Sequence, residues 1–250
     1  MSENFDLSAM TWTEIDEALK ERPVALLPLG PTQAQGPHLP VDTDAVIASE
    51  AARRGAAKLK ERRIPALVLP ALAYAVAELT ADLAGTLSLS PETAIAVIRD
   101  VCLATAKRFR AVVIVHLNPE PRLLDVIKQA MDQARRAGVS VSHTDFNKKR
   151  WADLLGEASN PGEHAGKVET SLMMAVAPER VRDAVRISLP PVEGLEAALK
   201  RGAKTLAEAG GEDGYFGDPT AATAEDGETH LDTLSEVIAL TVMEHLGSKP

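Results

Sequence analysis

Gly30-Pro-Thr-Gln-Ala-Gln-Gly-Pro-His-Leu-Pro-Val-Asp-Thr-Asp44 gathers glycines, prolines and hydrogen-bonding side chains into one short segment. The apolar run before it, Val24-Ala-Leu-Leu-Pro-Leu29, reads as a buried strand, and a helix is expected from about Asp44 through Lys60. A polar Gly/Pro loop at a strand end is a common position for binding or catalytic groups. Gln33, Gln35, His38, Asp42 and Asp44 are the side chains this loop can present.

The pattern repeats outward from this unit. Ala66-Leu-Val-Leu-Pro70 reads as a second strand and Ala111-Val-Val-Ile-Val115 as a third, with Val139-Ser-Val-Ser-His143 as a fourth. Between them, Ser90 caps a helix with Pro91 in its first turn, and that helix runs through Ala106 to Phe109. Pro121 to Ala137 reads as another helix, ended by Gly138. An N-terminal helix capped by Thr13, a helix over His164 to Ala177 and a long amphipathic helix over Thr223 to Leu246 complete the set. Such alternation predicts an α/β fold: a single domain over 1-250, with a mostly parallel sheet flanked by helices. Residues 145–162 read as polar and irregular, and 190–218 as glycine-rich and loop-dominated after a short helix.

Composition narrows the function classes. A net charge of −9 over 250 residues offers no basic face for nucleic acid. The single cysteine, Cys102, lies in an apolar segment and reads as a buried structural thiol, which excludes internal disulfides. No apolar run approaches the roughly 20 residues of a membrane span. Glu3, Asp6, Glu14, Asp16 and Glu17 are the wrong chemistry for a targeting peptide, so a cytoplasmic protein is expected.

The segment from Gly30 to Asp44 resembles the creatininase (creatinine amidohydrolase) family, whose loop reads G-x-x-E-Q-H-G-P-H-L-P-x-x-T-D. Four further segments resemble that family in its order: Gly85-Thr-Leu-Ser-Leu89, Arg108 to Pro121, Gly162-Glu-His-Ala-Gly-Lys-Val-Glu-Thr-Ser-Leu-Met173 and Gly214 to Glu225. The resemblance implies a creatininase-like α/β fold, a homo-oligomer, and hydrolysis of small amides at a pair of divalent metals. It also implies site positions. The family's Glu and first His of the loop fall at Gln33 and Gln35, its metal-binding His after the strand at Asn118, its Asp at Asp44, and a family His shortly before the G-T motif at Thr80. A Glu found in some members falls at Glu120, and His116 stands where an Asn is usual. Glu163 and His164 match the family's catalytic pair, with Glu169 further along the helix.

Exchanging imidazoles and a carboxylate for neutral amides removes the ligands that zinc and similar ions favour. The expected site is therefore a degenerate one that holds no cofactor and binds a small polar, amide-like metabolite, or acts on it through His164 and Glu163. The alternatives are an active amidohydrolase with a rearranged site around Asp44 and Glu120, holding Zn, Mn, Fe or a hard cation such as Mg or Ca, and a non-catalytic subunit of an oligomer. The ligand-pocket set is Gln33, Gln35, His38, Asp44, Tyr74, His116, Asn118, Glu120 and Glu169. Two plainer readings stand beside it: His38 and Asp42 shape the loop, and Tyr74 packs locally. Asp218 is expected to bond its own turn. Trp151 reads as a pocket lid or as a surface or interface anchor, and Lys148, Lys149 and Arg150 as a solvated turn.

Overall fold

The computed structural model describes residues 4–146, 151, 154–156 and 162–247; Lys148, Lys149 and Arg150 lie outside them. Four strands form one parallel sheet: β1 (Val24–Pro28), β2 (Ala66–Val68), β3 (Ala111–Val115) and β4 (Val141–His143). Their order is β2-β1-β3-β4, and Val24 stands in register with both Ala66 and Ala111. All five residues of β1 and all five of β3 are buried, as strands covered on both faces must be.

Alternate residues of these strands serve two cores. Val24, Leu26, Val113 and Val115 pack with α2 (Thr43–Glu61), the Lys167–Val176 helix and the C-terminal helix Ala224–His245. Ala25, Leu27, Val112 and Ile114 face the other side, toward α3 (Pro91–Thr105) and α4 (Pro121–Arg136). The chain leaves β1 for one face and β3 for the other. The carboxyl ends of these neighbouring strands therefore diverge into a crevice, the usual ligand position of an open α/β sheet. Gly30 closes the crevice floor. A Cβ there would lie 2.3 Å from the Asp44 carbonyl carbon, so only glycine lets the end of β1 touch the start of α2.

Helix ends follow local chemistry with two shifts from expectation. Ser90 accepts a bond from the Thr93 amide, and Thr223 accepts from Asp226. The helix α1 (Trp12–Ala18) is capped by Thr11, not Thr13, because Thr11 and Glu14 form a reciprocal capping box. The helix expected from His164 begins at Lys167 instead. His164 is extended and exchanges backbone hydrogen bonds with Phe216 (3.0 and 2.7 Å), and Ala165 takes a positive φ of 49°. Trp151 is only 6% exposed and belongs to the main core, which corrects both the lid and the surface reading. Cys102 is buried as expected; burial pushes its thiol up to about 11. No helix among the described residues is long and apolar enough to cross a membrane.

The C-terminal helix lies so close to the Lys167–Val176 helix that a Cβ on Gly227 would sit 2.0 Å from the Ser171 carbonyl oxygen. Gly227→Ala is expected to lower the unfolding free energy by about 1–3 kcal/mol despite alanine's better helix propensity. Urea denaturation measures this, and a stabilised variant would contradict the close packing.

Candidate functional site

The loop after β1 and the loop after β3 meet at Asp44. This residue occupies the first turn of α2, where the helix dipole favours an anion, and is 5% exposed. Its carboxylate accepts three side-chain amides. Gln33 Nε2 reaches Oδ2 at 2.6 Å, Gln35 Nε2 reaches Oδ1 at 2.9 Å, and Asn118 Nδ2 reaches Oδ2 at 3.1 Å. A carboxylate offers about four lone-pair positions, so these three donors engage most of those on Asp44.

One amide orientation is fixed independently. Asn118 Oδ1 accepts the Glu120 backbone N–H at 2.8 Å. A backbone N–H can only donate, so the oxygen of Asn118 must face Glu120 and its NH₂ must face Asp44. Thr80 Oγ1 donates to Gln33 Oε1 at 3.1 Å and so holds the other end of that amide.

Burial raises the protonation preference of Asp44, Glu120 and Glu169. It pushes Glu120 up to about 7, partly offset by the Glu78 amide that bonds Glu120 Oε1 at 2.8 Å. Glu120 Oε2 is buried with no protein partner among the described residues. Burial, then the nearby Asp44 charge, push Glu169 up to about 8, although the Ala165 amide donates to it. Asp44 is also raised by burial, against the pull of His164 and its amide donors.

His164 Nε2 stands 2.8 Å from the Ala34 carbonyl. A carbonyl only accepts, so Nε2 carries the hydrogen, and Nδ1 is the basic atom of the neutral ring. Burial lowers the pKa of His164, the Asp44 charge opposing it. Glu163 Oε2 accepts the Val168 amide at 3.3 Å in the following helix, so it serves that helix start while its residue also lines the cavity.

Gln33, Asn118, Glu120, Glu163 and His164 line a cavity of about 30 Å³, closed by Leu195 and Leu199. That is about the volume of one water molecule. The other expected residues lie elsewhere. Tyr74 is 57% exposed and lines none of the cavities described. His38 Nε2 bonds Thr170 Oγ1 at 2.8 Å behind the loop, and Asp42 pairs with Arg180 at 2.6 Å, so both fix the loop's shape. His116 turns from the amide cluster and stacks on His143, with ring centroids 5.3 Å apart and a 3.0 Å nitrogen contact. Asp218 bonds the Thr220 amide within its own turn.

The sequence did not point to the covering residues. Leu195 and Leu199, spaced one helical turn apart, lie on a short helix, Leu195–Lys200, inside the segment expected to be mostly loop. The Leu206 amide donates to the Leu79 carbonyl at 2.7 Å, and Leu195, Leu206 and Phe216 form a small apolar cluster that holds this cover down. The i, i+4 leucine spacing was the available signal.

The model of the creatinine amidohydrolase (creatininase) family matches residues 8–242. The chain belongs to the creatininase family. It is 31% identical over 215 residues to a mycofactocin precursor peptide peptidase of Mycobacterium tuberculosis (strain CDC 1551 / Oshkosh), covering 82% of this chain and 78% of that one. It is 26% identical over 219 residues to the creatinine amidohydrolase of Pseudomonas putida, covering 77% and 82%. A crystal structure of creatininase superposes with a TM-score of 0.76 at 24% identity, over 99% of this chain and 100% of the other. A mutant creatininase of Zn–Zn type, 22% identical, superposes at 0.75 over 97% and 98%. Divalent metals therefore occur in creatininase relatives. Among the described residues of this chain, no three His, Cys, Asp or Glu side chains are grouped to hold a metal ion.

The His116–His143 stack carries a pH signature. Burial, then the neighbouring His143, push His116 down to about 3, below its unfolded value of about 6.5. The unfolded chain then binds the extra proton, so this contribution is present above about pH 6.5 and is lost as pH falls toward 3. Between pH 7 and 5 it should cost about 2 kcal/mol. Urea unfolding of wild type and His116→Asn at both values isolates it from the opposing trend of Glu120 and Glu169. Equal pH dependence in the two proteins would contradict it.

Proposed function

We propose that this creatininase-family chain works without the family's paired metals, as a pocket for a small polar molecule bearing an amide-like group. The observation that carries this reading is the orientation of Asn118. With its oxygen taken by the Glu120 amide, its NH₂ points at Asp44, where a cation would need an oxygen or an imidazole. Gln33 and Gln35 also donate to Asp44, so N–H groups take most of the lone pairs of the one acidic ligand kept from the family's loop. The donor set does not fit a pair of metal ions, and no step is derived through them.

The remaining groups suit recognition and proton handling. Glu120, His164 and Glu163 face the inner cavity, and Glu120 Oε2 waits there for a partner. Protonated, Glu120 donates to a carbonyl; ionised, it accepts an amide N–H. Near neutral pH it has access to both forms. Neutral His164 offers Nδ1 as a base. A ligand amide placed against these groups can be bound, or have a proton moved, with Asp44 holding the loop in place.

Acetamide titrated into the protein in excess EDTA, followed by thermal shift, tests the reading. A saturable rise in the unfolding midpoint that is lost in Glu120→Leu is expected. No rise in the wild type, or one that requires added zinc or manganese, would overturn it.

A further inference from the structure

A second cavity of about 380 Å³ lies against the first, and the two share Leu79, Glu120, Pro121 and Leu199 as a common wall. The inner cavity holds about one water and the outer one a small metabolite, so a ligand of any size must enter from outside. Glu120, only 3% exposed and with Oε2 unpartnered, stands at the junction.

The outer wall has a chemistry of its own. Arg122 and Lys204 line it beside Glu78. The Lys204 side chain is exposed and makes no hydrogen bond or ion pair among the described residues. Arg122 stands 3.5 Å from Glu78 and 3.6 Å from Asp125, longer than the roughly 2.7–2.9 Å of a charge-assisted hydrogen bond. Both pairs are long and exposed, so a ligand carboxylate can displace them. On a chain with a net charge of −9, Lys204 is thus a cation without an ion pair among the described residues, on a wall that also carries Glu78 and Glu120. Leu79 and Leu199 supply apolar surface to the wall that the two cavities share.

We infer that the outer cavity is the entrance of the site, and that Arg122 and Lys204 bind a carboxylate of the ligand whose amide end meets Glu120. The inference rests on the reading of the inner site as an amide pocket. A charged mouth, an apolar waist and a hydrogen-bonding floor fit an N-acyl amino acid: carboxylate outward, short carbon spacer, amide inward. The selectivity comes from the positions of the cations, since planar Arg122 can take a carboxylate bidentately and Lys204 adds a second charge.

N-acetylglycine and its neutral isostere N-acetylglycinamide are the probes, titrated by ligand-observed NMR in excess EDTA. The wild type should prefer the acid by about fivefold or more, less so at high salt. Lys204→Glu should lose that preference while still binding the neutral amide. Both cations are exposed, so the Lys204→Glu and Arg122→Glu variants should unfold at the wild-type temperature. Equal affinity for the two probes, or a preference that survives in both variants, overturns the outer assignment and leaves the inner amide pocket standing. Failure of both probes to bind overturns both assignments, and failure of the acid alone overturns the outer one. If binding needs divalent metal but the acid preference still vanishes in Lys204→Glu, the outer assignment holds and the metal-free reading falls.

Discussion

The site depends on how one buried carboxylate is satisfied. Asp44 is fixed in the first turn of α2, and Gly30 brings that turn against the end of β1, so the carboxylate cannot move toward water. A buried anion of this kind must be neutralised, coordinated or hydrogen-bonded on all sides. Here Gln33 and Gln35 come from the loop after β1 and Asn118 from the loop after β3. The hydrogen bonds therefore also fasten together the two loops that diverge at the switch point of the sheet.

The carboxyls around Asp44 share its burial, and that burial favours the protonated forms of Glu120 and Glu169. His164 is drawn toward its neutral tautomer with Nε2 on the Ala34 carbonyl. In the metal-free reading these groups make a nearly neutral, proton-bearing cavity suited to polar uncharged groups, on a fold whose relatives include a Zn–Zn form. Fold membership and site chemistry thus separate: the first follows from the sheet and its loops, the second from a few side chains that the fold does not dictate.

Much of this was legible before the structure. The uninterrupted apolar runs at Val24 and Ala111 can only be strands covered on both faces, and Ser90-Pro91 marks a helix start by capping chemistry alone. The joint location of Gln33, Gln35, Asp44 and Asn118 was implied by the resemblance to the creatininase family, whose ligand positions fall on these residues. Other features depended on distant partners. His116 has the same local sequence whether it faces the cavity or His143, and only β4 beside β3 decides it. His164 reads as helical until Phe216, far along the chain, takes its backbone bonds. Tyr74 is polar and aromatic enough for a pocket, but the chain turns it to the surface. The short helix Leu195–Lys200 was expected in its glycine-rich segment, but its place against the cavity was not, because that depends on contacts with Leu79 and Phe216.

The account stands most directly on the claim that amide N–H groups, and not metal ions, occupy the lone pairs of Asp44. Elemental analysis of the protein purified without chelator or metal-affinity tag is the measurement to make. The account predicts a folded protein with no stoichiometric zinc, manganese or iron. A pair of such ions per chain, lost together with stability on dialysis against chelator, would contradict it.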